Sequence, residues 1–464
     1  MTEIFSSTRF VRAMVIIGTL LAAVVLGAAR FGFREVAIVV LVILGTLVLV
    51  IPRAVKLGFA FYILTFMIGW RQIPLSGDLK IHPSEIMAFG LMALVIARVA
   101  IEQHRLYWPV SRVWSVLILW TPIALYLAID TGVPWDSALV WVKGFLLAVP
   151  TLLVVNECVK DLLSWRRAIT LLAATVLYVS GLGITEYFFP SVVAPFIGFF
   201  GKTATLSTVS GFVREDFTFF GGAITSVFLS VAFFPILGEF LASKGQVKIF
   251  FGISALTSIF ATYLSGNRGP WIGMALGIPI LVLFNPKRTW MLIVLGVAVL
   301  AILPSEFFSN LAAIQSFGTV NNIDPSVDRR TQLFVAALNN IQTQPFFGHG
   351  WGASGLAHSD IFQLAGDIGV PMTLLFLFWY ARVGWDLVQI SSQANIPLEW
   401  RDRIVTALAM IVAALANLFG EAIIVLPHVI SPLWFMIALA TVLPRLAKLN
   451  LEYHSPTKNN EAAT

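Results

Sequence analysis

Apolar residues in this chain come in long unbroken runs, not in the alternation of half-buried strands. A membrane-crossing helix needs about 20 predominantly apolar residues, with roughly 17 as a practical minimum. Runs near that length lie at 13–29, 36–51, 57–70, 84–101, 113–129, 139–155, 167–189, 220–241, 248–263, 270–284, 288–304, 361–381, 403–420 and 427–444. Several are short, and 57–70 is short enough to be re-entrant, so the pattern predicts twelve to fourteen spans. The largest interruption is the polar stretch 305–360. It contains Asn321, Asn322, Asp324, Pro325 and Asp328, which predict a loop. Within it Leu333, Phe334, Ala337, Leu338 and Ile341 recur at helical spacing. That spacing predicts an amphipathic helix over 330–343, lying at the membrane surface and stopped by Pro345. A second polar stretch, 190–219, reads as a loop. The expected architecture is all-α: a polytopic transmembrane bundle forming one integral membrane domain over 1–464, with a short tail at 446–464.

Composition removes the alternatives. Of 464 residues 58% are hydrophobic and 12% charged, where a soluble domain carries about 25% charged residues. The mean hydropathy is +0.88. A cytosolic enzyme, a secreted disulfide scaffold and a disordered chain are excluded. So is a transmembrane β-barrel, whose strands alternate and leave no long apolar runs. A lone cysteine, Cys158, offers no disulfide and no cysteine-based metal site. The first apolar run follows Arg12 without a small-residue cleavage site, which predicts a retained span.

Basic residues orient the bundle. With both termini cytoplasmic, 20 of the 30 Lys and Arg residues fall in cytoplasmic loops. The other ten are Arg30, Arg34, Arg71, Lys80, Lys143, Lys202, Arg214, Arg268, Arg329 and Arg330. Some of these would serve as snorkelling headgroup anchors; those beside glycines are candidates for an anionic ligand at the outer face.

Three constellations on the outer side could carry chemistry. The first is 345–371, where Gly348, Gly350, Gly352 and Gly355 predict a flexible turn able to approach a ligand. His358 follows, then Ser359 and Asp360 as helix N-caps. Asp360, Gln363 and Asp367 share one helical face. Gly366 and Gly369 suit close helix packing. The second is Ser265-Gly266-Asn267-Arg268-Gly269, a tight loop whose guanidinium suits bidentate phosphate binding. The third is Asp328-Arg329-Arg330 at the expected helix start, where cations oppose the helix dipole unless they bind an anion. The Arg214-Glu215-Asp216 cluster could bind sugar hydroxyls. Weaker candidates are Glu421 and His428, which flank the last outer turn, and Arg71, Asp78, Lys80 and His82, which form a mixed-charge loop. Trp70, Trp135 and Trp351 read as interfacial belt residues. The sequence holds no nucleotide-binding or metal-ligand motif, so no cofactor, metal or nucleic-acid partner is expected. Any reaction would draw on an already activated substrate.

These residues resemble the O-antigen ligase and polymerase family of bacterial envelope glycosyltransferases. SGNRG over 265–269 is similar to that family's Ser-x-Arg-Gly turn. Arg330-Thr-Gln-Leu-Phe334 followed by AALNNIQTQPFFGHG resembles its Arg-led helix and Pro-Phe-x-Gly-x-Gly turn. His358-Ser359, then Gly366 and Gly369, resembles its His-polar segment leading into a glycine-marked helix. The likeness runs from roughly 200 to 440. Departures are Phe334 where Trp is more usual, His349 inside the glycine turn, and a loose match around Arg214.

The resemblance implies transfer of a glycan from a polyprenyl (undecaprenyl) pyrophosphate carrier to a lipid or glycan acceptor. The reaction would be metal-independent and inverting, at the outer face of the inner membrane. By position, Arg268 and Arg330, with Arg329 beside them, would bind pyrophosphate, and His358 would lie at the reacting centre. Asp360 or Asp367 would orient the imidazole or act as the base. Arg214, Glu215 and Gln363 are candidates for glycan or acceptor binding. A non-enzymatic transporter or flippase of lipid-linked glycan is the alternative.

Overall fold

The computed structural model describes residues 54–68, 73–76, 79–102, 112–199, 206–209, 212–215, 224–284, 325–355 and 357–454. The expected spans 13–29, 36–51 and 288–304 lie outside the described residues, as do 305–324 and 455–464. In chain order the elements are α1 (Ala54–Leu64, continued by a 3-10 turn, Thr65–Ile68), β1 (Ile73–Ser76), β2 (Leu79–Ile81), α2 (Pro83–Glu102), α3 (Arg112–Asp130), α4 (Trp135–Leu146), α5 (Ala148–Cys158), α6 (Leu162–Phe188) and α7 (Pro190–Phe199). There follow β3 (Leu206–Val209), β4 (Phe212–Glu215), α8 (Thr225–Ala242), α9 (Gly245–Leu264), α10 (Arg268–Phe284), α11 (Pro325–Thr343), α12 (Asp360–Ile368), α13 (Val370–Ser391), α14 (Leu398–Gly420) and α15 (Pro427–His454). Among the described residues seven helical segments are long and apolar enough to cross a membrane: α3, α4 with α5, α6, α8, α9, α14 and α15. The protein is an all-α polytopic helical membrane protein.

Two expected spans are each interrupted, and proline is the reason in both. The span 139–155 divides at Leu147, because Pro150 lacks an N–H and its ring would collide with the carbonyl four residues back. The span 361–381 divides at Gly369, which has a φ of 87° and precedes the Val370-Pro371 start of α13. Here the carbonyl of Asp367, four residues before Pro371, turns outward and accepts the Gly350 N–H at 2.9 Å.

The stretches read as loops are not featureless. Within 190–219 lie α7 and an antiparallel hairpin pairing Val209 with Phe212 and Leu206 with Glu215. The mixed-charge loop holds a second hairpin, pairing Ile73 with Ile81. Two-residue connections, Ser210-Gly211 and Gly77-Asp78, mark both in the sequence. These strands are too short for periodicity to reveal them.

Burial follows all-round apolarity. Nearly every side chain of α8 is buried, as is most of α15, so these two helices lie inside the bundle. α14 packs against α8, α10 and α13. An aromatic cluster joins the elements nearest the site: Trp114 lies 5.2 Å from Phe145, 5.3 Å from Trp379 and 6.0 Å from Trp434, ring centre to ring centre. Trp351, expected at the interface, belongs to this core instead, 1% exposed and 5.2 Å from Phe145. The glycines around it draw the turn into the protein, so its indole is not left at the surface. Trp135 is half exposed, and Trp70 lies outside the described residues.

At one end of α6, Glu239 and Arg403 form a fully buried ion pair. Arg403 Nε donates to Glu239 Oε1 at 2.5 Å and Nη2 to Oε2 at 3.3 Å. Trp165 Nε1 adds a bond to Glu239 Oε1 at 2.9 Å. This knot clamps α6, α8 and α14 together. Nearby, Asp161 and Ser164 close a capping box at the start of α6.

Candidate functional site

The candidate site is built around α12, a nine-residue helix whose polar stripe is wholly inside the protein. Asp360, Gln363 and Asp367 are each 0% exposed and lie on one face, as their spacing predicts. Their side chains are engaged with the protein's own backbone. The Asp367 carboxylate accepts the Gly352 N–H at 2.8 Å and the Ser354 N–H at 2.9 Å. Gln363 accepts the Ala357 N–H at 3.0 Å and donates to Asp367 at 3.4 Å. Asp360 reaches the other way, accepting the Ile423 N–H at 2.9 Å and the Ile424 N–H at 3.2 Å. Burial drives the Asp360 carboxyl up to about 8, against the pull of the Ile423 and Ile424 amides; the nearby Glu421 carboxylate adds to the rise.

The glycine turn is packed, not open. A side chain at Gly350 would meet the Ala128 backbone nitrogen at 2.0 Å, and one at Gly348 the Asp367 carbonyl at 2.4 Å. Both residues have φ in the left-handed region, 95° and 71°. The expectation of a flexible, ligand-facing turn is corrected at these positions: the close backbone approach is to α3 and α12. Gly366 and Gly369 likewise pack on Ser354 and the Phe346 carbonyl of the same turn, not on a neighbouring span.

His358 stands between two anchored residues. The Ala357 amide is held by Gln363, and Ser359 caps α12 by accepting the Phe362 N–H at 3.5 Å. His358 itself has a φ of 50°, the one non-glycine residue in the left-handed region among the described residues. Such a conformation costs about 1–2 kcal/mol and persists where its surroundings impose it. The imidazole is half-buried and its backbone position is fixed from both sides.

The elements that carry the other two constellations pack on α12 or on the turn bonded to it. Arg268 is the first residue of α10, and Gly269 is packed so closely that an added side chain would meet Glu421 Oε1 at 2.9 Å. The carbonyl of Glu421 accepts the Asp360 N–H at 3.1 Å. The SGNRG loop and the His358 segment, about ninety residues apart in sequence, are therefore joined through Glu421. α11 lies on α12, with the Phe334 ring 4.6 Å from that of Phe362. The helix containing Arg329 and Arg330 begins at Pro325, a turn earlier than its apolar spacing indicates, because proline at the first helical position starts helices readily. Both arginines then sit in the second turn, where the opposing dipole is weaker. Arg214 and Glu215 lie on β4, which packs against α6.

The turn after α14 is part of the interior. Glu421 is 3% exposed, and the backbone carbonyl of Ile424 abuts Gly144, where a side chain would come within 1.9 Å of it. Beside this turn lies a second buried polar group. The His82 ring contacts Ser84 Oγ at 2.7 Å, Ser84 Oγ donates to Ser431 Oγ at 2.7 Å, and Lys143 pairs with Glu85 at 3.1 Å. His428 is also buried, with neither ring nitrogen hydrogen-bonded to any described residue. His82, Glu421 and His428 are thus buried polar groups, while Lys80 of the same mixed-charge loop is exposed. Their signal was present only in their adjacency to spans, which cannot distinguish a buried polar group from an interfacial one.

The fold and site define a polytopic membrane protein in which a buried polar helix, α12, adjoins a His-bearing turn and is joined through Glu421 to the start of α10. Residues 253–377 match the family model described as O-Antigen ligase, a segment that contains the SGNRG loop, α11, the glycine turn and α12. The match supports the family resemblance read from the motifs, and with it a role in envelope polysaccharide biosynthesis as a glycosyl-transfer enzyme. A search of curated proteins finds no match.

Proposed function

We propose that the protein transfers a glycan from a polyprenyl pyrophosphate carrier to a lipid or glycan acceptor at the outer face of the bacterial inner membrane, with both chain termini cytoplasmic. The observation that carries this reading is the junction of Gly269, Glu421 and Asp360, which brings the Arg268 helix start to the His358 segment.

In this reading Arg268 and Arg330, with Arg329 beside them, hold the pyrophosphate. The acceptor hydroxyl oxygen forms a bond to the anomeric carbon from the face opposite the leaving group, inverting that centre. The carbon–oxygen bond to pyrophosphate breaks, and its electron pair leaves with the phosphate. Guanidinium groups stabilise that growing charge where other enzymes use a metal, at about 3 kcal/mol for each preorganised donor. His358 takes the acceptor's proton, a task suited to an imidazole near neutral pKa. Asp360, Asp367 and Gln363 act as positioning residues: Asp367 and Gln363 are spent on amides of the turn before His358, and Asp360 on the Ile423 and Ile424 amides. Arg214 and Glu215 remain candidates for glycan contact.

The test is glycan transfer by the purified protein in vesicles supplied with lipid-linked glycan. Arg268→Ala should lower the rate by about a hundredfold or more while leaving the protein folded. Unchanged transfer removes Arg268 from the reaction. Movement of intact lipid-linked glycan across the vesicle membrane, without release of free polyprenyl pyrophosphate, would establish the transporter reading. In cells lacking the protein, accumulated single repeats indicate a polymerase, and long carrier-linked chains missing from the final acceptor indicate a ligase.

A further inference from the structure

At the end of α2 away from the Ser84–Ser431 contact, the ends of α1, α2, α5 and α6 enclose a cavity of about 230 Å³. Its floor is apolar, formed by Val55, Val95 and Cys158. Its rim carries Lys56, Arg98, Lys160, Glu157, Asp161 and Ser164. Both carboxylates are already used by the protein. Glu157 pairs with Lys160. Asp161 accepts the Ser164 N–H at 2.6 Å in the α6 capping box, and these bonds hold its carboxyl below the usual range. Three cations against two carboxylates leave a positive rim over an apolar floor. Lys56 is exposed, and Lys56, Arg98 and Lys160 all fall on the side where the sequence places the cytoplasm. A rim of cations above an apolar floor, at the end of a membrane bundle, matches a phosphate ester joined to acyl chains.

We propose that this cavity binds the phosphate of an anionic phospholipid headgroup, at the opposite end of the bundle from His358. The inference is independent of the proposed glycan transfer.

The experiment is native mass spectrometry of the detergent-purified full-length protein titrated with phosphatidylglycerol, with phosphatidylcholine as the neutral comparison. Lys56→Glu and Arg98→Gln are compared with wild type and with Lys244→Glu, which lies outside the cavity. Each cavity variant should bind phosphatidylglycerol about fivefold more weakly per lost cation, while Lys244→Glu binds as wild type does. Competition by millimolar inorganic phosphate would show that the phosphate group suffices and that soluble phosphate esters also enter. Absence of competition, with binding still lost in the variants, would assign the site to the lipid. Equal phosphatidylglycerol binding by wild type and Lys56→Glu overturns the proposal. Lys56 is exposed on the first turn of α1, so this variant retains the fold even if Arg98→Gln does not.

Discussion

Asp360 and Glu421 clasp two segments of the site from both sides of one peptide bond network. The Asp360 N–H donates to the Glu421 carbonyl at 3.1 Å, and the Asp360 carboxyl receives the amides of Ile423 and Ile424 two and three residues further on. The clasp holds α12 against the turn that also contacts Gly269. Its components are buried, so its strength depends on proton uptake as well as on geometry.

The proton linkage has a definite sign. Burial raises the Asp360 carboxyl from 3.8 to about 8 in the folded protein. Between those values the folded state holds a proton that the unfolded chain releases. Stability is therefore fully present below pH 4 from this group and declines as pH rises toward 8, by at most about 1.4 kcal/mol per pH unit. Thermal unfolding in detergent from pH 5 to pH 8 should show that decline in wild type. Asp360→Asn, which keeps one carbonyl acceptor and does not titrate, should flatten it. An unaltered pH profile in the variant would show that Asp360 is not the linked group.

His358 should show stability and activity pulling apart. Its left-handed backbone would suit glycine better, by about 1 kcal/mol. His358→Gly is expected to raise the melting temperature slightly and to lower glycan transfer by about 10²–10⁴-fold, the range for loss of a general base. A variant that loses both stability and activity would indicate that the imidazole is needed for packing.

Gly350 tests the packed character of the turn. A methyl group there would stand 2.0 Å from the Ala128 nitrogen, against α3 backbone that cannot swing aside, and at a φ of 95°. Gly350→Ala should cost about 3 kcal/mol or more, read as a lower unfolding temperature and poor recovery of folded protein. Gly355→Ala makes a useful comparison, since a side chain there meets nothing within 4 Å and only its φ of 64° resists. A loss of about 1 kcal/mol is expected at that position.

The Glu239–Arg403 pair shares no hydrogen bond with the α12 site. Glu239→Gln leaves the Arg403 charge buried and should destabilise by about 3–5 kcal/mol. Replacing both residues with apolar ones of similar volume should recover most of that loss. Transfer by the folded fraction of the double variant is expected at the wild-type rate. A rate that falls in proportion to the single variant's stability loss would tie this pair to the reaction.

Much of this molecule is determined by local sequence. Apolar run length dictates spanning helices, because an unpaired backbone amide in hydrocarbon is too costly for any other open structure. The N-cap at Ser359, the stop before Pro345 and the shared face of Asp360, Gln363 and Asp367 follow from positions within a single turn or two. What required the tertiary structure was the destination of each polar group. The spacing of Asp367 is the same whether its carboxylate faces a substrate or the amides of Gly352 and Ser354, and only the packed glycine turn decides. Gly350 reads as freedom in the sequence and is a backbone contact with α3 in the fold. Glu421 looks like a surface turn until α10 and α14 pack together and bury it against Gly269 and Asp360. Hydrophobic periodicity is a property of neighbours along the chain; burial of a polar atom depends on segments beyond the local helix, some of them far away in sequence, and their approach is set by packing.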